Sequence, residues 1–161
     1  MHRGAFDDPR ANVVIGDALA YLREHDERFD AIVIDLTDPS EDGPIGELYS
    51  EGFYRLVASR LAEGGIVVLQ GYTFGPGRTA WQDRIAETLR LVFPIVRRYR
   101  AEVPFFKDSW AFLTASAVRD PAALPPGYVD RALSGRDVGG LRFYDGITHV
   151  SMFSLPKYAR S

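Results

Sequence analysis

The chain is 161 residues long, enough for one domain, and 46% hydrophobic against 25% charged residues excludes a disordered, collagen-like or disulfide-stapled protein. Nineteen Lys and Arg against 22 Asp and Glu leave a net charge of −3, so there is no bulk positive field to hold nucleic acid. Cysteine is absent, which removes thiolate metal sites and a Cys nucleophile.

Asn12 to Ile15 is a β-branched run ending in Gly16-Asp17 and predicts a buried strand with a turn after it. Ala18 to Glu24 follows as a short helix, with Asp17 placed to cap it. Phe29 to Asp35 predicts a second strand. Its apolar residues are continuous rather than alternating, the pattern of burial on both faces in a parallel sheet. Leu36 to Tyr49 carries Pro39, Gly43, Pro44 and Gly46 and reads as a loop. Ser50 caps a helix to about Ala62, with Phe53, Leu56, Val57 and Leu61 on one stripe and Gly64-Gly65 as its stop. Ile66 to Gln70 is a third buried strand, Tyr72 to Gly77 a second loop, and Thr79 to Phe93 a helix stopped by Pro94. Ile95 to Val103 and Ser109 to Ser116 read as an antiparallel strand pair. One short helix is expected within 117–140, and a peripheral strand or helix over Gly146 to Leu155. The alternation indicates an open, doubly wound α/β sheet.

No apolar run approaches the roughly 20 residues that span a bilayer, and the amino terminus has no apolar signal core. A cytoplasmic protein without membrane or nucleic-acid partners is expected. His2, His25 and His149 lack metal-ligand spacing and read as surface or loop residues, so no metal is expected. Trp110, Tyr99, Phe105 and Phe106 read as core or pocket wall. Arg97, Arg98 and Arg100 read as a solvated edge or a docking surface for another subunit.

The sharpest signal is charge. From Phe29 to Tyr54 there is no Lys or Arg, while Asp30, Asp35, Asp38, Glu41, Asp42, Glu47 and Glu51 make the stretch net −7. A solvated acidic loop is one reading. Placement supports another, because Asp35 and Asp38 follow a buried strand, and ligands of open α/β sheets bind at the carboxyl ends of strands. Two carboxylates there, stiffened by Pro39, make a site for a cation. Asp17 and Gln70 follow their own strands in the same way. Asp17 reads equally as a helix cap, and Gln70 as a partner for loop backbone. Convergence of the three strand ends on one rim is the anatomy of a small-molecule site.

These residues resemble a known family. Asp35-Leu36-Thr37-Asp38-Pro39, followed by Gly43-Pro44, Leu48-Tyr49 and Phe53-Tyr54, is similar to the signature of polyamine aminopropyltransferases, the spermidine synthase family. Gly16-Asp17-Ala18, Gly64-Gly65-Ile66, Leu69-Gln70-Gly71, Val103-Pro104 and Trp110-Ala111-Phe112 fit the same order, as do Ala115-Ser116 and Leu141-Arg142-Phe143-Tyr144. Leu36, the Ser40-to-Pro44 spacing and Phe106-Lys107-Asp108-Ser109-Trp110 resemble the thermospermine synthase branch. The resemblance implies a Rossmann-like, methyltransferase-type sheet. It also implies transfer of an aminopropyl group from decarboxylated S-adenosylmethionine, a co-substrate rather than a resident cofactor, to a polyamine amine, with release of methylthioadenosine. Carried over by position, Asp35 is the proton acceptor and Asp38 holds a substrate ammonium, with Leu36 and Thr37 lining that contact. Asp17 and Ala18 meet the adenine amino group, Pro44 packs on the ring, and Gln70 shapes the site. Phe106 stands where many relatives carry a Tyr, and it has no hydroxyl to offer.

The resemblance also implies what should stand in front. Relatives begin with a small β-rich domain, a strand with a Gly-rich loop, and a strand ending in an acidic residue. No G-x-G precedes Asp17. Residues 1–161 are therefore expected to form one partial Rossmann-like catalytic domain, truncated at its amino-terminal strands. The strand at Phe29 is then expected at an exposed edge, which favours a homo-oligomer, and the isolated chain is expected to be weakly active or inactive. Two rivals stay open: an S-adenosylmethionine-dependent methyltransferase, and a non-catalytic polyamine- or nucleoside-binding module needing a partner chain.

Overall fold

A computed structural model describes residues 4–36 and 44–160. Helix α1 (Ala18–Glu24) leads to strand β1 (Phe29–Ile34). A 3-10 turn (Pro44–Tyr49), helix α2 (Glu51–Ser59) and the long strand β2 (Leu61–Thr73) follow. Helix α3 (Ala80–Arg90) precedes strands β3 (Ile95–Val103) and β4 (Asp108–Ser116), and helices α4 (Pro126–Gly135) and α5 (Gly146–Phe153) complete the order. The four strands form one mixed sheet in the order β1-β2-β4-β3. β1 and β2 are parallel, with Ile32 opposite Val67 and Ile34 opposite Leu69. β4 runs antiparallel to both β2 and β3.

The expected caps are in place. Asp17 Oδ1 accepts from the backbone N–H groups of Leu19 and Ala20 at 2.8 and 3.3 Å, and Ser50 Oγ accepts from Phe53 N–H at 3.2 Å, satisfying donors that a helix start leaves orphaned. The core is the layer between the sheet and two helices. Phe53, Tyr54 and Val57 of α2 and Ile85, Ala86 and Leu89 of α3 pack on Val67 and Leu69 of β2 and Leu113 and Ala115 of β4. Each fully buried leucine here contributes about 1.5–3 kcal/mol of apolar burial.

Four expectations are corrected. Asn12 to Ile15 is not a buried strand, and Ile15 is 97% exposed. A strand exists only by pairing, and none of the described strands lies beside this run. β1 is not buried on both faces either. It sits at the sheet edge, where Ile34 reaches the core but Val33 is 72% exposed. Gly64-Gly65 does not end α2. The helix ends at Ser59, and both glycines lie inside β2, which starts at Leu61. They fall where the β1–β2 register slips between Phe29 and Ala31. Gly64 takes φ +71°, and a Cβ on Gly65 would come to 3.0 Å from the Phe29 carbonyl oxygen, so the pair forms a bulge that favours glycine. Finally, His149 is neither surface nor loop but buried on α5. Its Nε2 lies 2.8 Å from the Pro121 carbonyl oxygen, which only accepts, so Nε2 donates. In the neutral ring Nδ1 then accepts from the Tyr144 hydroxyl at 2.7 Å. His25, by contrast, is exposed, as expected.

Candidate active site

Where β1 ends, the chain delivers Asp35 and Leu36 to the rim of the sheet. Where α1 begins, it delivers Asp17 and Ala18. These four residues line one cavity of about 850 Å³ between the 12–17 segment, α1 and β1, with Val33 and Phe53 among its apolar walls. That volume lies in the range of small-molecule sites. Asp35 is exposed and has no hydrogen-bond or ion-pair partner among the described residues. Thr37 and Asp38 lie outside the described residues, and so does the side chain of Pro44, whose backbone opens the 3-10 turn.

Gln70 and Phe106 do not line the cavity. Gln70 sits near the end of β2 and acts as a clamp. Its Nε2 donates to the Leu36 carbonyl oxygen at 2.9 Å, and its Oε1 accepts from Trp110 Nε1 at 2.8 Å. Both ends of one amide thus bind the residue after Asp35 to strand β4. Phe106, at the tip of the β3–β4 hairpin, stacks on Trp110 with ring centroids 4.5 Å apart and is 51% exposed. Tyr72 also contacts Trp110, with ring centroids 5.7 Å apart. Tyr72 holds φ 80°, uncommon for a bulky side chain, at the point where the β2–β4 register shifts between Gln70 and Thr73. The result is an aromatic wall of Tyr72, Trp110 and Phe106 adjoining the strand-end rim.

The sequence pattern alone places Tyr72 in a loop and gives Trp110 no role beyond a wall. The usable signal was Gln70-Gly71-Tyr72 at the end of an apolar strand, facing an indole whose N–H needs an acceptor.

The acidic stretch delivers less free charge than its sequence suggests. Glu47 pairs with Arg23 at 2.9 Å and Glu51 with Arg55 at 2.6 Å, two cations that lie outside residues 29–54. In the core, Tyr54 is fully buried and its hydroxyl has no hydrogen-bond partner among the described residues. Burial pushes that phenol far above its ordinary range, so it stays neutral at every ordinary pH. Among the described residues no group of three or more His, Asp or Glu side chains is placed to hold a metal ion, and no helix is long and apolar enough to cross a membrane.

Comparison with known proteins gives a consistent result. Residues 1–121 match the family described as spermine/spermidine synthase domain. Polyamine aminopropyltransferase from Sulfolobus acidocaldarius is 39% identical over 159 residues, covering 99% of this chain and 52% of that protein. Among solved structures, a spermidine synthase in complex with the transition-state analogue AdoDATO superposes with a TM-score of 0.79 at 31% identity, covering 98% of this chain and 52% of that one. Human methyltransferase-like protein 13, in complex with SAH, shares the fold alone, with a TM-score of 0.60 at 22% identity over 84% of this chain and 63% of that one. The chain spans about half the length of the curated relatives it matches.

Proposed function

Because the chain belongs to the spermine/spermidine synthase domain family, we propose that its strand-end cavity serves aminopropyl transfer from decarboxylated S-adenosylmethionine to a polyamine amine. The observation that carries this reading is the meeting of Asp17, Ala18, Asp35 and Leu36 on one cavity.

The chemistry fits the residues. A polyamine amine is protonated at neutral pH and has no lone pair to attack with. Asp35, exposed and unpartnered among the described residues, is available to take that proton. The freed nitrogen attacks the methylene beside the sulfonium; the C–N bond forms, the C–S bond breaks, and its electron pair neutralises the sulfur of departing methylthioadenosine. The positive sulfur already activates the leaving group, so no acid is needed there. Asp38 holds a second ammonium, with Leu36 and Thr37 along the contact. Asp17 and Ala18 meet the adenine amino group, and Pro44 packs on its ring. Both cap bonds of Asp17 fall on Oδ1, so holding α1 and meeting an adenine are compatible tasks for one carboxylate. Gln70 shapes the site through the Leu36 carbonyl, and Phe106 supplies an apolar surface where a hydroxyl would otherwise bind. Residues 1–161 act as one partial catalytic domain, weakly active or inactive by itself, in the cytoplasm, where such biosynthesis takes place.

The open edge of β1 supports a second element of the proposal. An apolar strand with unpaired backbone pairs with another chain, and a homo-oligomer through this edge would cover Val33.

Calorimetric titration of the chain with decarboxylated and with ordinary S-adenosylmethionine tests the substrate class. The decarboxylated form is expected to bind at least tenfold more tightly, since the ordinary one brings a carboxylate to an acidic rim. Equal binding, or preference for the ordinary form, overturns the proposal in favour of a methyltransferase.

A further inference from the structure

A second cavity, of about 400 Å³, lies away from that rim. Ile66 lines it, four residues before Gln70 on β2 and so roughly 13 Å along the strand. Part of its wall is helix α4, which lies beyond residues 1–121 of the family match. The floor is apolar: Leu124, Val129 and Leu133, with Val129 buried.

Two guanidinium groups, Arg119 and Arg136, stand on its border. Both residues are exposed, and neither side chain has a hydrogen-bond, ion-pair or ring partner among the described residues. The one carboxylate lining the cavity, Asp120, is already engaged: its two oxygens accept from Arg97, and Oδ1 also accepts from Ala122 N–H at 3.0 Å. Arg119 is placed by a backbone feature. Gly64, at φ +71°, leaves open the space its side chain crosses, and a Cβ there would come within 2.8 Å of Arg119 Nε. Two cations without a partner among the described residues, in the lining of a cavity with an apolar floor, complement a ligand with one anionic end and one oily end.

We propose that this cavity binds a small organic monocarboxylate, its carboxylate held between Arg119 and Arg136 and its hydrocarbon body laid on Leu124, Val129 and Leu133. Nothing in the aminopropyl-transfer reading requires this site, and the two stand or fall separately.

The test uses the 161-residue chain and three probes: hexanoate, hexylamine and inorganic phosphate, each titrated by calorimetry with amide chemical shifts to locate binding. Hexanoate is expected to bind saturably, with shifts centred on residues 119–136, and at least tenfold more tightly than either control. R119Q and R136Q are each expected to weaken hexanoate about tenfold, the usual effect of losing one charge-assisted contact, and the double variant to abolish it. Both residues are exposed, so the unfolding midpoints of the variants should match the parent. Phosphate binding as tight as hexanoate reduces the site to a cationic patch, and equal hexylamine binding reduces it to a greasy one. Either result, variants with undiminished affinity, or no hexanoate binding overturns the proposal.

Discussion

Asp35 and Gln70 divide the work at the end of β1 in a way that separates chemistry from position. Asp35 has no partner among the described residues and is exposed, so the fold does not depend on it. In an active enzyme carrying this chain, Asp35→Asn should lower turnover about 10²–10⁴-fold, the range for losing a positioned base. Its unfolding midpoint should stay unchanged. Unaltered methylthioadenosine release would remove Asp35 from its role. Gln70 behaves oppositely, since it satisfies the Leu36 carbonyl and the Trp110 N–H at once. Gln70→Leu strands both groups and should cost about 1–3 kcal/mol in chemical denaturation. It should also weaken nucleoside binding, because the residue next to Asp35 loses its tether. A variant as stable as the parent would show that the clamp is incidental.

At the scale of elements, helix starts carry the local stability and one of them is sensitive to acid. Asp145 caps α5 by accepting from Thr148 N–H at 2.7 Å. That hydrogen bond holds its carboxyl below the usual carboxylate value. A carboxyl depressed in the folded state stabilises above its unfolded value and loses that contribution as pH falls through the folded one. Asp145→Ala should therefore lower the unfolding midpoint at pH 7, and the gap to the parent should close as pH falls below about 4. A gap independent of pH between 3 and 7 would show that the carboxylate charge contributes nothing to the cap. The same elements show why β1 and the 12–15 run came out differently from their sequence pattern. Continuous apolar residues announce a strand that is covered on both sides, but they do not supply the neighbour that covers it. Among the described residues β1 pairs with β2 on one side only, and Asn12 to Ile15 pairs with no strand.

For the described residues as a whole the consequence is an edge at β1 with no further strand beside it. Val33, 72% exposed on β1, makes it testable. Light scattering on the purified chain should report an oligomer, and Val33→Lys, a charge of the kind that protects natural edges, should shift it toward monomer. A monodisperse monomer in the parent chain would overturn self-association through this edge. The core offers an independent check, since Leu89 is fully buried between α3 and the sheet. Leu89→Ala should cost about 2–5 kcal/mol in equilibrium unfolding, and a loss under 1 kcal/mol would mean that the helix layer is loosely packed.

What the sequence determined by itself is local or chemical. The caps at Asp17 and Ser50 and the placement of Asp17 and Asp35 at the edges of their elements depend on neighbours a few residues away, and the antiparallel pair of β3 and β4 on strands consecutive in the chain. The tertiary structure decided everything that depends on a distant partner. It made Gly64-Gly65 a strand bulge rather than a helix stop, because the Phe29 carbonyl approaches there. It buried His149 under Tyr144 and Pro121, and it turned Gln70 into a bridge between Leu36 and Trp110. The contacts of Gln70 and of Gly65 join residues more than 30 positions apart, and no periodicity along a single chain records who the partner will be.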